Sequence, residues 1–527
     1  MNVSIFFCFI CFIFFGFFLI FLLYGVFFFL FLDWFFVSLK MNFYLNNLLF
    51  SLVLFFVTFS VLIFCSYYMN GEMNLVYFLL MFMIFVLSMF FLSFSSGIFS
   101  MLVSWDVLGI SSFFLVLFYN NWDSCSGAMH TVLTNRLGDF FLFIFFCYFV
   151  FSSLIFFLLM FCFVSFWFFL ILAGFTKSAQ FPFSGWLPKA MSAPTPVSAL
   201  VHSSTLVTAG LILIMGFDFV FLSNKFNVIV LWVGLLTMFF SSFCALFEND
   251  MKKVVALSTL SQMGFSMLCF GLGLYFVSLI HLVSHALFKS CLFMQIGIFI
   301  HSFFGQQDSR GYNSLGSSLF FVQLQMVVTL FCLCGLFFTS GAITKDLILE
   351  FFFFNYEFII MSGLFFFSVF LTFIYSVRLF FSLLYSFNVS CFNLHVSILM
   401  GIFSFVLVCF SVFGLWWLSS NVCLLPLVFL YVDFYVSLVF LNFFIFVVFF
   451  CFVFFLFELK YKFIVDFVSE QFSFMFFGNK FFDVGMNVFV VSFLNFCNMV
   501  GYFFVFFFSS LSLSVVVIIV FMLMFFF

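Results

Sequence analysis

Apolar stretches long enough to cross a bilayer follow one another along almost the whole of this 527-residue chain. A hydrocarbon core about 30 Å thick takes about 20 helical residues. At that length the hydropathy divides the chain into about fifteen spans. They fall at 5–32, 43–67, 74–94, 98–118, 132–151, 153–176, 197–221, 228–247, 254–271, 275–300, 321–342, 358–385, 394–418, 433–457 and 500–527. Every backbone N–H and C=O in lipid needs a partner inside the protein, so helices are the expected element. The sequence therefore predicts an all-α integral, multi-pass membrane protein.

Composition closes off other classes. With 68% hydrophobic and 6% charged residues, no soluble fold is possible. The net charge of −3 and the absence of a basic run give no footing for nucleic acid. The 16 cysteines are scattered through apolar segments, and Cys8 and Cys11 alone form a C-x-x-C, so they read as small core residues without a metal site. One C-x-x-C cannot hold an iron–sulfur cluster, and no Gly-rich dinucleotide fingerprint appears. No cofactor is expected in this chain. The 119 phenylalanines exceed any packing need. Phe has T-rich codons, which points to coding bias in a T-rich, organellar genome. Residues 6–32 lack the basic start and small-residue cleavage site of a signal peptide and read as a retained helix.

Lysine and arginine outside the spans orient the chain. Lys189, Lys252, Lys253, Arg310, Lys460, Lys462 and Lys480 fall on one side, and Lys40 and Lys225 on the other. The first side, with the N-terminus, is expected on the matrix or cytoplasmic face. Two spans are interrupted. Pro182, Pro188, Pro194 and Pro196 follow the sixth, and Gly335 and Gly341 divide the eleventh. Interrupted helices in corresponding positions are a mark of transporters built from inverted repeats. The spacing fits two inverted five-helix repeats. Residues 459–499 carry Lys462, Asp466 and Glu470 at helical spacing. That polar stripe suits an amphipathic helix lying along the membrane surface or against other subunits, or an ordinary linker. The expected organisation is N-terminal spans over 1–94, a channel core over 95–385, further spans over 386–458, the lateral helix over 459–499 and a terminal anchor over 500–527.

The few ionisable residues within the spans are where chemistry is expected, because a charge in hydrocarbon costs about 2.5–3.5 kcal/mol or more. Lys177 and Lys345 stand at the two interruptions. Asp106, in the fourth span, is the carboxylate that can pair with Lys177 and hold it protonated until that charge is drawn away; a static pair locking two helices is the plainer alternative. His281, His285 and Lys289 share one helical face, and His202 follows the first interruption. Such a row can pass protons through intervening waters. His281 and His285 also have zinc-ligand spacing, but no third ligand accompanies them. Asp346 can tune Lys345 or open its exit. Arg136 and Asp139 form a pair near a membrane face, structural or bordering an uptake route. Arg378 can snorkel or meet a neighbouring subunit.

Several strings together resemble the antiporter-like membrane subunits of respiratory complex I. They are Trp105-Asp106-x-x-Gly109, Asn135-Arg136-Leu137-Gly138-Asp139, Lys177-Ser178-Ala179-Gln180-Phe181-Pro182, Pro194-Thr195-Pro196 through His202, Ser258-Thr259-Leu260-Ser261-Gln262, His285-Ala286-Leu287-Phe288-Lys289 and Lys345-Asp346. The resemblance covers roughly residues 40–385. Lys345, where the chain 4 type of these subunits usually has glutamate, and the long segment before the last span set this chain apart from that sister. The family usually has glutamate where Asp106 stands, and the N-terminus and lateral segment are short against it. The resemblance implies a proton-translocating subunit of NADH:ubiquinone oxidoreductase in the mitochondrial inner membrane, with Asp106, Lys177, His202, His281, His285, Lys289, Lys345 and Asp346 as the relay. It implies that NAD, FMN, iron–sulfur clusters and ubiquinone belong to partner subunits. The expected partners are other complex I membrane subunits including the chain 4 type, accessory subunits and phospholipids. The rival readings are the large subunit of a multi-subunit cation/proton antiporter and a structural membrane scaffold.

Overall fold

The computed structural model describes residues 28–34, 37–42, 44–154, 163–217, 224–303, 305–309, 320–336, 339–354, 359–384, 398–414, 442 and 444–448. The lateral segment at 459–499 and the anchor at 500–527 lie outside them.

Helices dominate: α1 Leu45–Tyr68, α2 Leu75–Phe94, α3 Ile98–Val116, α4 Trp122–Leu154, α5 Phe163–Lys177, the short α6 Trp186–Ala190, α7 Thr195–Met215, α8 Asn224–Phe247, α9 Met251–Gly271, α10 Tyr275–Ser302, α11 Phe320–Cys334, α12 Ser340–Phe354, α13 Ile359–Leu384 and α14 Ile398–Cys409. Eight helices among the described residues are long and apolar enough to cross a membrane. The expected spans at 74–94, 275–300 and 358–385 match α2, α10 and α13 to within two residues at either end.

Three expectations need correction. Residues 28–32, placed at the end of a first helix, belong to a strand, Phe28–Trp34, that pairs antiparallel with Val37–Asn42. Short Phe-rich runs fit a strand as well as a helix, and periodicity cannot separate the two. Helix α4 begins ten residues before the expected 132 because its polar first turns, with Asp123 in the first, fall below any hydropathy threshold. The span expected at 321–342 is two helices, since α11 stops at Cys334 and α12 runs from Ser340 to Phe354.

The least apolar of the eight long helices, α7, α9 and α10, are also the most buried, whereas α2 and α3 leave much of their surface outward. This ordering is what lipid imposes, because hydroxyl, amide and charged side chains are tolerated only where protein surrounds them. Close helix approach depends on missing side chains. A Cβ on Gly210 of α7 would collide with the carbonyl oxygen of Gly174 of α5, so these two backbones can touch only as glycines. A separate apolar cluster joins Leu231 and Leu235 of α8, Phe265 and Leu268 of α9, Ile348 of α12 and Phe365, Val369 and Phe373 of α13.

Candidate functional site

Helix α5 ends at Lys177 in a cap built on a left-handed residue. Ala179 has φ 53°, and the Gln180 N–H donates to the Phe175 carbonyl at 3.0 Å. This six-to-one bond closes a helix that the following Phe-Pro cannot extend. The Lys177 ammonium, 0% exposed, donates to the backbone carbonyl of Trp105 at 2.8 Å and lies 3.6 Å from the centre of the Trp105 ring. An indole face is the best aromatic partner for a cation, and in a desolvated site it contributes about 2 kcal/mol.

The carboxylate beside this arrangement is Asp139, not Asp106. Trp105 Nε1 donates to Asp139 Oδ1 at 2.8 Å, and Arg136 donates to Asp139 Oδ2 at 3.2 Å. One indole therefore touches the lysine with its face and the aspartate with its edge. Asp106 instead lies 3.6 Å from Arg136, with side-chain exposures of 36% for Asp106 and 53% for Arg136. Among the described residues no carboxylate comes within 4.0 Å of the Lys177 ammonium. The expected direct Asp106–Lys177 contact is thus replaced by one through Trp105. One residue along α3 turns a side chain by about 100°, which carries Asp106 away from the face that Trp105 presents. Arg136 links both carboxylates, and this ties the inner pair to the half-exposed one.

Beyond α5 the chain turns back through Trp186, whose Nε1 donates to the Thr176 carbonyl at 3.0 Å. The Trp186 ring meets His202 edge-on with centroids 6.1 Å apart. His202 lies in a π-helical stretch, Ser198–Thr205, inside α7. Ser203, Ser204 and Thr205 donate back to carbonyls four and five residues earlier. That back-bonding accompanies a widened turn, a form often found at functional sites. The Ser-Ser-Thr run was the available signal for it. Both ring nitrogens of His202 are buried with no hydrogen-bond partner.

The second interruption repeats the cap. Gly335 has φ 74°, and the Leu336 N–H donates to the Phe331 carbonyl at 3.2 Å. The Lys345 ammonium reaches back from α12 and donates to the carbonyls of Leu333 and Cys334, each at 2.9 Å. These belong to the last turn of α11, where orphan carbonyls and the helix dipole favour a cation. A Cβ at position 335 would stand 2.8 Å from Lys345 Cδ, so Gly335 supplies both the turn and the room for the lysine stem. Thr344, next to Lys345, meets His281 Nδ1 at 3.0 Å. Along α10 follow His285, with both nitrogens buried and unpartnered, and Lys289, which donates to Ser258 Oγ at 2.5 Å. Lys289 and Lys345 are buried as fully as Lys177. Asp346 is half-buried on α12. Within the chain, Arg378 reaches across to the end of α8 and donates to the Leu246 carbonyl and to Asn249 Oδ1, the latter at 3.0 Å. Trp105 and Ser258 were not singled out as partners of the lysine ammonium groups, nor Thr344 as the partner of His281 or Gly335 as the neighbour of the Lys345 stem. Nothing in the local sequence marks these pairings, and only the fold brings them together.

The family model for the NADH:quinone oxidoreductase/Mrp antiporter transmembrane region matches residues 95–374. This chain belongs to that family. Within it, NADH-ubiquinone oxidoreductase chain 5 of Ascaris suum is 55% identical over 471 residues, covering 89% of this chain and 86% of the relative. The Caenorhabditis elegans chain 5 is also 55% identical, over 490 residues and 92% of each chain. These chain 5 relatives agree with the distinction from the chain 4 type that Lys345 carried. A chain in the structure of the Mrp complex from Dietzia sp. DQ12-45-1b superposes with a TM-score of 0.64 at 23% identity. The match covers 73% of this chain and spans 44% of that one, and it bears on the fold alone.

Proposed function

We propose that this chain is a proton-translocating membrane subunit of NADH:ubiquinone oxidoreductase, resident in the mitochondrial inner membrane. Three fully buried lysines at the centre of an apolar helix bundle carry this reading. Lys177 and Lys345 stand at two interrupted helices, with Lys289 inside the continuous α10, and irregular backbone at membrane depth is tolerated where it is buried in protein or lines a wet cavity. Stability alone does not account for three such groups, since well-packed apolar residues would serve it better. The relay runs from Arg136, Asp139 and Asp106 through Lys177 to His202, then along Lys289, His285 and His281 to Lys345, with Asp346 at its far end. The successive groups on α10 are one turn, about 6 Å, apart, a spacing that one water bridges. Moving one proton against the membrane potential takes about 2.3 kcal/mol per 100 mV. That energy comes from NADH oxidation and ubiquinone reduction in partner subunits, which hold FMN and the iron–sulfur clusters. The two lysine-bearing breaks are equivalent points of two inverted five-helix repeats. The lateral segment and last span tie the chain to other membrane subunits.

The test is Lys177→Ala in the assembled complex, reconstituted in vesicles. Protons pumped per NADH oxidised should fall to background. Parental stoichiometry would remove Lys177 from the pathway. Sodium-dependent exchange without NADH would move the assignment to a cation/proton antiporter.

A further inference from the structure

The histidine row is not the only buried polar connection between Lys289 and Lys345. Lys289 donates to Ser258 Oγ at 2.5 Å. One turn further along α9, Ser261 Oγ lies 3.2 Å from the Tyr375 hydroxyl of α13. Beside Tyr375 on the same helix, Ser376 Oγ lies 3.0 Å from the Cys334 thiol. Cys334 is the residue whose carbonyl accepts the Lys345 ammonium at 2.9 Å. Every one of these side chains is at least nine-tenths buried. Tyr375 is 1% exposed within an apolar bundle, where a phenol costs desolvation that Phe would avoid. Gln262, next to Ser261, adds a buried Oε1 that has no hydrogen-bond partner.

We infer that Tyr375 is a proton-relay residue, joining Lys289 to Lys345 through Ser258 and Ser261 on one side and Ser376 and Cys334 on the other. The inference rests on the relay reading above and adds to it a branch carried by α13. A hydroxyl both accepts and donates, so it can take a proton on its lone pair and release its own. In one passage Lys289 goes from ammonium to amine and Lys345 from amine to ammonium. The serines, the tyrosine and the thiol each gain one proton and lose one, and end unchanged. Ser258 and Ser261 stand one turn apart on α9, and one water or a turn of either hydroxyl closes that step. Direct hydrogen bonds join Lys289 to Ser258, Ser261 to Tyr375 and Ser376 to Cys334, and waters complete the steps from Tyr375 to Ser376 and from the Cys334 thiol to Lys345, as they do at the ring nitrogens of His285.

Tyr375→Phe removes one oxygen and keeps the ring, so the apolar layer stays filled. In the assembled complex it should lower protons pumped per NADH oxidised severalfold. Ser261→Ala should act likewise and Ser261→Thr should restore pumping, because threonine returns the hydroxyl. A packing role predicts no such rescue. Pumping in D2O should slow more in the parent than in Tyr375→Phe, once the hydroxyl transfers no longer contribute. Parental stoichiometry in either Tyr375→Phe or Ser261→Ala overturns the branch. Lys345→Ala separates the two readings. If it stops pumping while Tyr375→Phe does not, the branch alone is wrong; if it too pumps normally, the relay itself is wrong.

Discussion

The two interrupted helices solve the same problem with different parts. Each ends in a six-to-one backbone bond around a left-handed residue, Ala179 in the first and Gly335 in the second. Each places a fully buried lysine beside the break. At the first, the ammonium rests on an aromatic face and a carbonyl of a neighbouring helix, with Asp139 on the far edge of the same indole. At the second, it rests on two carbonyls of the broken helix itself. The first lysine is therefore coupled to carboxylates that reach the protein surface through Arg136. The second rests on backbone dipoles that cannot be titrated, and its titratable neighbours are the half-buried Asp346 and the buried Cys334. A change of charge outside the bundle reaches Lys177 through Arg136 and Asp139, and reaches Lys345 through Asp346 beside it.

The sharpest way to break this comparison is at the carboxylates. Asp139→Asn should reduce coupled pumping severalfold, because it removes the buried charge that shares Trp105 with Lys177. Asp106→Asn should have the smaller effect, since Asp106 is half-exposed and its ion pair among the described residues is with Arg136. Pumping stoichiometry in vesicles for the two variants decides the order. The reverse order would restore Asp106 as the direct partner of Lys177.

That contrast also marks what the sequence could and could not convey. A lysine amid apolar residues is conspicuous wherever it lies, so Lys177, Lys289 and Lys345 stood out at once. The interruptions were legible through Pro182 and Gly335, residues that dictate backbone rather than packing. The identity of the partner carboxylate was not, because Asp106 and Asp139 both fall within plausible reach of Lys177 along the chain. Which of the two turns inward depends on how α3 and α4 are rotated, and neither helix has the polar-apolar stripe that would reveal it. The hairpin at 28–42 was hidden for a related reason, since uniform phenylalanine has no period to read.

A smaller effect is expected at Gly335. Gly335→Ala forces a left-handed alanine and places its Cβ 2.8 Å from Lys345 Cδ. The strain should cost about 1–3 kcal/mol and push the ammonium off one of its two carbonyls. Thermal inactivation of the complex should begin earlier, and pumping should fall in part. An unchanged inactivation profile would mean that the lysine stem moves aside freely and that the break does not hold it.

The smallest effect is expected at the matching position of the first break, and it has the opposite sign. Ala179 occupies a conformation that costs an L-residue roughly 1–2 kcal/mol and glycine almost nothing. Glycine loses more backbone freedom on folding, by roughly 0.5–1 kcal/mol, which offsets part of that gain. Ala179→Gly should therefore stabilise the assembled complex by a few tenths to about 1 kcal/mol. The Ala179 side chain is itself buried, so a lost methyl contact reduces the gain further. The measurement is again thermal inactivation, with the pumping ratio as a second reading. If stability rises and pumping stays at the parental ratio, alanine is only a tolerated substitute for glycine there. If stability rises and pumping falls, the strained alanine is part of how the first lysine moves, and the two breaks differ in mechanics as well as in partners.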